Sequence, residues 1–218
     1  DCSIILKNSY APEMIVDSPS NQYVTIRSVG STEIEKVYVR TDTYLEGKSS
    51  GDYGFQFIQV DGEDGTQLDL AGNIHEVITL TPKSKINVGS GTVEKMTIDE
   101  QAVGSTVRID QGAVVEELNL DTATTVSGKG DIGTVNINAP GCVIEMLPDI
   151  INIRPGITAN VDGTIMDNTL AQQMSDKPRI LSGYPRMDDI APNQATASFM
   201  TNKPGKLYWA VRLSGDGA

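Results

Sequence analysis

Histidine occurs once and cysteine twice in 218 residues. That scarcity leaves little for zinc, redox or triad chemistry, all of which draw on clusters of these two residues. Basic residues are also short: 17 Lys and Arg face 29 Asp and Glu, for a net charge of −12. A phosphate polyanion binds through clustered Lys and Arg, so no nucleic acid partner is expected. No apolar run reaches the roughly 18 residues that a membrane span needs. No secretory leader is read at Asp1, which fits a leader already removed or a segment trimmed from a longer chain. Aromatic residues are only 5% of the chain, too few for a broad sugar-stacking surface. What remains is 39% hydrophobic content, enough to bury a core in one or two domains.

One short phrase recurs: an apolar residue, two polar ones, then apolar, any, apolar. Ile34-Glu35-Lys36-Val37-Tyr38-Val39 carries it, as do Val93 to Ile98, Val115 to Leu120 and Ile132 to Ile137; Ile74 to Thr79 is a looser copy. Between the copies lie shorter strands with two apolar positions: Met14/Val16, Val24/Ile26, Ile58/Val60, Leu68/Leu70, Ile86/Val88, Val107/Ile109 and Ile151/Ile153. Alternation over about four residues, rich in β-branched side chains, marks half-buried strands. Gly, Asn, Asp and Ser fill the gaps and leave no room for crossover helices. The chain is therefore expected to be all-β, a single-stranded β-helix (β-solenoid) of about 20 to 22 residues per coil over residues 1–162. Stacking would place Met96 under Leu118 in a parallel ladder, with roughly seven coils rising about 35 Å. Cys2 and Cys142 would lie many turns apart, beyond the reach of a disulfide, and Cys142 would serve as a small buried hydrophobe.

The stretch "RTDTYLEGKSSGDYGFQF" interrupts the period and reads as an inserted loop or hairpin. Tyr44, Tyr53 and Phe55 are its candidate contact residues, because loops on rigid scaffolds commonly carry function. Residues 163–192 read as a cap and linker with a short helix near Thr169 to Met174. From 193 to 218, Ala195, Ala197 and Phe199 alternate, Asn202 to Gly205 turns the chain, and Leu207, Trp209 and Val211 alternate back. That is a partial immunoglobulin-like β-hairpin segment, short of the seven strands a sandwich needs.

Gly128-Lys129-Gly130-Asp131-Ile132-Gly133 matches a dinucleotide fingerprint, but a strand follows it where that fingerprint needs a helix, so the glycines are expected to make corners. Asp99, Asp110 and Asp121 close equivalent strands and would repel one another if stacked. The "DGEDGTQLD" string supplies Asp61, Glu63, Asp64 and Asp69 as candidate oxygen ligands for calcium, without matching an EF-hand; solvated acidic faces are the plainer expectation, and no other cofactor is implied. A lyase or hydrolase needs paired carboxylates or a basic residue in a groove. No Lys or Arg sits at a repeated position near these carboxylates, and His75 reads as a strand-edge residue.

"IEKVYV", "GTVEKMTID", "GDIGTVNINAPGCVIEMLPD" and "ATASFMTNKPGKLYWAV" together resemble the repeat regions of large cell-surface proteins of Gram-positive, Clostridia-like bacteria, which often carry S-layer-homology anchors elsewhere. The terminal hairpin resembles the opening of a fibronectin-III or immunoglobulin-like module. The resemblance implies an extracellular, surface-exposed structural or adhesive part with no catalytic residues, and a protein or glycan partner at the surface. A carbohydrate-binding or polysaccharide-cleaving β-helix is the alternative, and a self-associating filament subunit the second.

Overall fold

The computed structural model describes residues 2–18, 22–48, 53–176, 186–191 and 194–201. The chain divides into two units, Asp1–Ser175 and Asp176–Ala218. The first is a β-solenoid of about eight coils, one more than the repeat count suggests. At about 4.8 Å per coil the stack rises roughly 38 Å.

Each coil contributes one strand to each of two parallel sheets. The first sheet stacks Cys2–Lys7, Val24–Val29, Thr43–Glu46, Gln67–Ala71, Lys85–Val88, Thr106–Ile109, Thr125–Gly128, Val143–Ile144 and Ala159–Val161. The second begins with Tyr10–Ala11 and Met14–Val16. It continues through Glu33–Val39, Phe55–Val60, Ile74–Thr79, Gly91–Ile98, Ala113–Leu120, Asp131–Ile137 and Ile150–Ile153.

The five longer phrases all fall in the second sheet, where three columns of inward side chains run the length of the stack. In one, Met14 pairs with Val37, Val37 with Ile58, Ile58 with Val77, Val77 with Met96 and Met96 with Leu118, continuing to Val135 and Ile151. From Val37 to Ile151 every member is buried. The first sheet has its own column through Leu68, Ile86, Val107, Val126, Ile144 and Val161. A coil alone cannot hide these side chains. Stacking removes them from water at about 1.5–3 kcal/mol per side chain, and that makes the fold cooperative from coil to coil.

The column at the phrase's last apolar position holds one misfit. Thr79 pairs with Val60 on one side and Ile98 on the other and is fully buried, and its Oγ1 has no hydrogen-bond partner. A buried hydroxyl without a partner loses its hydration for nothing. Thr79→Val keeps the shape and removes that loss, so it is expected to raise unfolding free energy by about 1 kcal/mol in a denaturant titration. A decrease would show that the hydroxyl is satisfied.

Small hydroxyl residues line the corner that leads into the first sheet. Ser84 Oγ donates to Thr81 O at 2.9 Å and Thr124 Oγ1 to Thr122 O at 2.9 Å. Cys142 occupies the same place one coil on, its Sγ 3.4 Å from Thr122 O and Ala139 O. Burial pushes its thiol up, so it stays protonated and inert. It is free, as is the exposed Cys2.

The carboxyl end of the stack is closed. Thr164–Met166 pairs antiparallel with Ala159–Val161, covering the edge of the first sheet. Helix Asn168–Asp176 stands where the short helix was expected. Asp167 caps it by accepting from the Leu170 N–H at 2.9 Å. Ala171 is buried against the core, and Ser175 Oγ accepts from Ile151 N–H at 2.9 Å on the last strand of the second sheet. An open sheet edge would otherwise pair with a passing chain.

Two expectations need correction. The stretch from Arg40 to Phe57 is not an inserted hairpin: Thr43–Glu46 and Phe55–Val60 are coil strands in the two sheets, so only residues 47–54 lie between them. In the second unit, Gln194–Ser198 pairs antiparallel with Arg186–Ala191, a strand inside the segment read as linker. The turn at Asn202 to Gly205 and the strand through Leu207, Trp209 and Val211 lie outside the described residues.

Candidate functional site

In the first sheet, one residue stands between the two inward positions of each strand and points outward. Thr25 pairs with Tyr44, Tyr44 with Asp69, Asp69 with Asn87, Asn87 with Arg108 and Arg108 with Ser127. These side chains form a polar file, one per coil, about 4.8 Å apart. Beside it the chain turns the corner toward the second sheet, and that corner is bare. A Cβ on Gly72 would lie 2.3 Å from the Gly47 carbonyl oxygen, and one on Gly91 would lie 2.2 Å from that of Gly72. Gly72 and Gly91 also have φ of +73° and +81°, where a side chain is strained. Close stacking of backbone on backbone therefore demands glycine, and the corner becomes the floor of a groove.

The groove runs from Ser28 past Tyr44, Asn87 and Arg108 to Glu145, and its widest part encloses about 720 Å³. Three of its carboxylates are engaged. Asp69 accepts from the Tyr23 hydroxyl, from Asn87 Nδ2 and from Gln67 Nε2 at 2.8 Å. Glu46 Oε2 accepts from Arg27 Nε at 2.8 Å and from the Tyr44 hydroxyl at 3.3 Å. Asp110 Oδ1 takes Arg108 Nε at 2.8 Å. Burial, reinforced by Asp69 for Tyr23 and by Glu46 for Tyr44, raises both phenols, so each remains a neutral donor with an apolar ring.

Of the three proposed contact residues, only Tyr44 lies on this groove. Phe55 is fully buried and pairs with Ile34, so it is a core residue and cannot meet a partner. Tyr53 belongs to a different cluster, where its ring lies 5.2 Å from that of His75 and its hydroxyl donates to Glu94. His75 Nδ1 meets the same carboxylate at 2.6 Å. The Glu94 hydrogen bond pushes the Tyr53 phenol from its ordinary 10.0 up to about 12, while Tyr53 and then His75 lower the Glu94 carboxyl. The raised phenol makes this contact favourable below pH 10 and progressively lost as pH climbs toward 12; the lowered carboxyl makes it favourable above pH 4.5 and lost in acid. Glu94→Gln is expected to bring the Tyr53 titration back toward 10.0, read as an ultraviolet difference spectrum. An unmoved midpoint would show that Glu94 is not the cause.

The acidic quartet is dispersed. Asp69 sits in the groove, whereas Asp61 faces Arg40 Nε at 3.5 Å and Asp64 Oδ2 faces Lys83 Nζ at 3.1 Å on the opposite corner. Glu63 contributes its backbone oxygen to Thr66 Oγ1 at 2.7 Å. Among the described residues no three His, Cys, Asp or Glu side chains converge on a point that suits a metal ion. Asp110 is also misaligned with Asp99 and Asp121: it follows a first-sheet strand, and they follow second-sheet strands. Asn138 Nδ2 donates to Asp121 Oδ1 at 2.7 Å, and Gln101 N–H to Asp99 Oδ1 at 3.0 Å, so each carboxylate has its own neutral donor. The glycine string at 128–133 makes a corner into strand Asp131–Ile137: a Cβ on Gly128 would lie 2.0 Å from Ile109 O.

Asn87 and Arg108 were not singled out from the sequence, and Asp110 only as an acid closing a strand. Their signal is the residue between the aliphatics in Leu68-Asp69-Leu70, Ile86-Asn87-Val88 and Val107-Arg108-Ile109, which becomes visible once these strands are superposed.

Two parallel sheets wound as one solenoid, with a polar file beside a glycine-floored groove, define the class: a parallel β-solenoid with a decorated outer face. The chain is similar in fold to part of a solved structure, that of chitinase ChiW from Paenibacillus sp. str. FPU-7, described as a bacterial cell-surface-expressed multi-modular enzyme machinery. The match has a TM-score of 0.63 and 21% identity, over 72% of this chain and 14% of that one. At that identity the likeness establishes the fold alone, and this chain spans a small part of the protein it resembles. No family model matches the chain, and no curated protein matches it by sequence. Among the described residues no helix is long and apolar enough to cross a membrane.

Proposed function

We propose that this chain is a non-catalytic structural or adhesive segment of a bacterial cell-surface protein: a stiff β-solenoid spacer that holds its outer face toward the surroundings. The observation that carries the reading is the inward column from Val37 to Ile151, buried in every coil and joined on both sides by parallel ladders. Such a stack resists bending because any local opening exposes aliphatics in two coils at once. The engaged state of Asp69, Glu46 and Asp110 agrees with a surface that does not transfer protons. The likeness to one part of a cell-surface-expressed, multi-modular enzyme agrees with a module in a longer surface protein. End-to-end polymerisation through both faces is not part of the reading, since helix Asn168–Asp176 covers the last coil.

A second reading, carbohydrate binding, is favoured by the groove on the first sheet and by the chitinase activity named for the solved neighbour.

Incubating the purified chain with soluble and insoluble polysaccharides, with and without calcium, is expected to release no reducing ends. Antibody labelling of intact cells that carry it is expected to stain their surface. Release above a boiled control would overturn the non-catalytic reading, and staining only after lysis would overturn the location.

A further inference from the structure

We propose that the groove along the first sheet binds an extended, electrically neutral, β-linked polysaccharide that lies parallel to the solenoid axis, with successive sugar units over successive coils. The inference rests on the carbohydrate reading and adds the place, direction and charge of the ligand.

Direction follows from the file of outward residues. Tyr44, Asp69, Asn87 and Arg108 recur once per coil in unbroken register. Their spacing of about 4.8 Å is close to the length of one β-1,4-linked pyranose unit. A straight β-1,4-linked chain, whose successive units turn over alternately, therefore stays in step with the coils and sets one unit against each file residue, whereas an α-linked chain that winds on itself falls out of step. The groove passes seven first-sheet strands, from Val24–Val29 to Val143–Ile144, so its length is roughly 30 Å. That accommodates about six units.

The floor supports the same direction. At Gly47, Gly72 and Gly91 the coils approach too closely for any Cβ, so no side chain crosses the groove over these coils. On one wall, the half-exposed ring of Tyr44 offers an apolar face at the place where the groove is widest. Asn87 and Arg108 supply amide and guanidinium donors farther along. Arg108 gives its Nε to Asp110, and its two Nη groups remain to donate to a hydroxyl or carbonyl oxygen. Such planar donors next to an aromatic face are what a polyhydroxyl ligand requires.

Charge selects the neutral class. Although the chain carries −12, four cations, Arg27, Lys48, Arg108 and Lys129, stand against four carboxylates, Glu46, Asp69, Asp110 and Glu145, along the groove. A uronic acid polymer finds Arg27 and Arg108 already engaged by Glu46 and Asp110, no net positive charge along the groove, and a repelling field around it. A polyamine sugar finds no excess of carboxylates there.

The test uses the full chain and isothermal titration with defined probes: cello- and chito-oligosaccharides of two to six units, polygalacturonate and chitosan. Affinity for at least one neutral series is expected to rise with length up to about six units, with neither charged polymer bound more tightly. Tyr44→Ala and Arg108→Ala are each expected to weaken binding of the longest oligosaccharide about tenfold or more, with thermal midpoints unchanged. His75→Ala, on the other sheet, should leave binding intact. Should Tyr44→Ala unfold the chain, Tyr44→Leu and Arg108→Gln carry the comparison. Failure of every probe to bind sinks the carbohydrate reading together with the groove. Binding that survives both groove substitutions, or that favours a charged polymer, keeps the carbohydrate reading and overturns this site.

Discussion

Phe55→Ala is expected to destabilise the chain by about 3–5 kcal/mol, whereas Tyr53→Ala, two residues earlier, should stay within about 0.5 kcal/mol. The two aromatics look alike in sequence, and both were candidates for a contact surface. Their environments differ completely. Phe55 has no exposed surface and fills the first inward position of its coil, in register with Ile34. Truncation leaves a cavity between coils whose separation is fixed by backbone hydrogen bonds, such as Ile34 N–H to Gly54 O at 2.9 Å, so the walls cannot collapse into it. Tyr53 is held by a half-buried hydroxyl contact to Glu94 and a tilted ring contact to His75. Contacts of that kind contribute little in water. Urea titrations of the two variants decide the matter, and equal midpoints would return Phe55 to the surface.

The Phe55 position also explains how far the sequence could be read. Periodicity revealed the solenoid because aliphatics at five copies of the phrase share one phase, and the Met96 and Leu118 pairing follows from it directly. All eight coils obey the same grammar, but three copies begin with Ala11, Phe55 and Pro148 instead of an aliphatic. Met14/Val16, Ile58/Val60 and Ile151/Ile153 therefore passed for shorter strands, although they lie in the second sheet. Ala11 pairs with Ile34 and Pro148 is buried, so size and shape at that slot vary while inward placement does not. The groove was less legible for a physical reason. Its lining residues share no chemical type; they share only a register, and register becomes visible after the strands are paired. Acidic residues close together in sequence, such as Asp61 and Asp69, end on a corner and on the outer face of the first sheet, because the chain turns between them. Proximity along a solenoid coil is a poor guide to proximity in space, whereas separation by one coil is a good one.

Gly91→Val is expected to abolish folding of the central coils, a loss on the order of 4 kcal/mol or more. Two effects act at once. The backbone at Gly91 has φ of +81°, a conformation that costs an L-residue about 1–2 kcal/mol, and a β-branched one more. The new Cβ would also stand 2.2 Å from the Gly72 carbonyl oxygen, which belongs to the coil below and cannot retreat. Gly72 in turn approaches Gly47 in the same way, so the clash cannot be passed down the stack. Gly112 separates the two effects: its φ is +86°, yet nothing lies within 4 Å of the Cβ position. Gly112→Ala should therefore cost only the backbone term, about 1–2 kcal/mol. If Gly91→Val and Gly112→Ala unfold at similar denaturant concentrations, the coils do not press on one another at this corner. If they differ as expected, the bare floor of the groove is a by-product of stacking, and only its walls are free to carry specificity for a ligand.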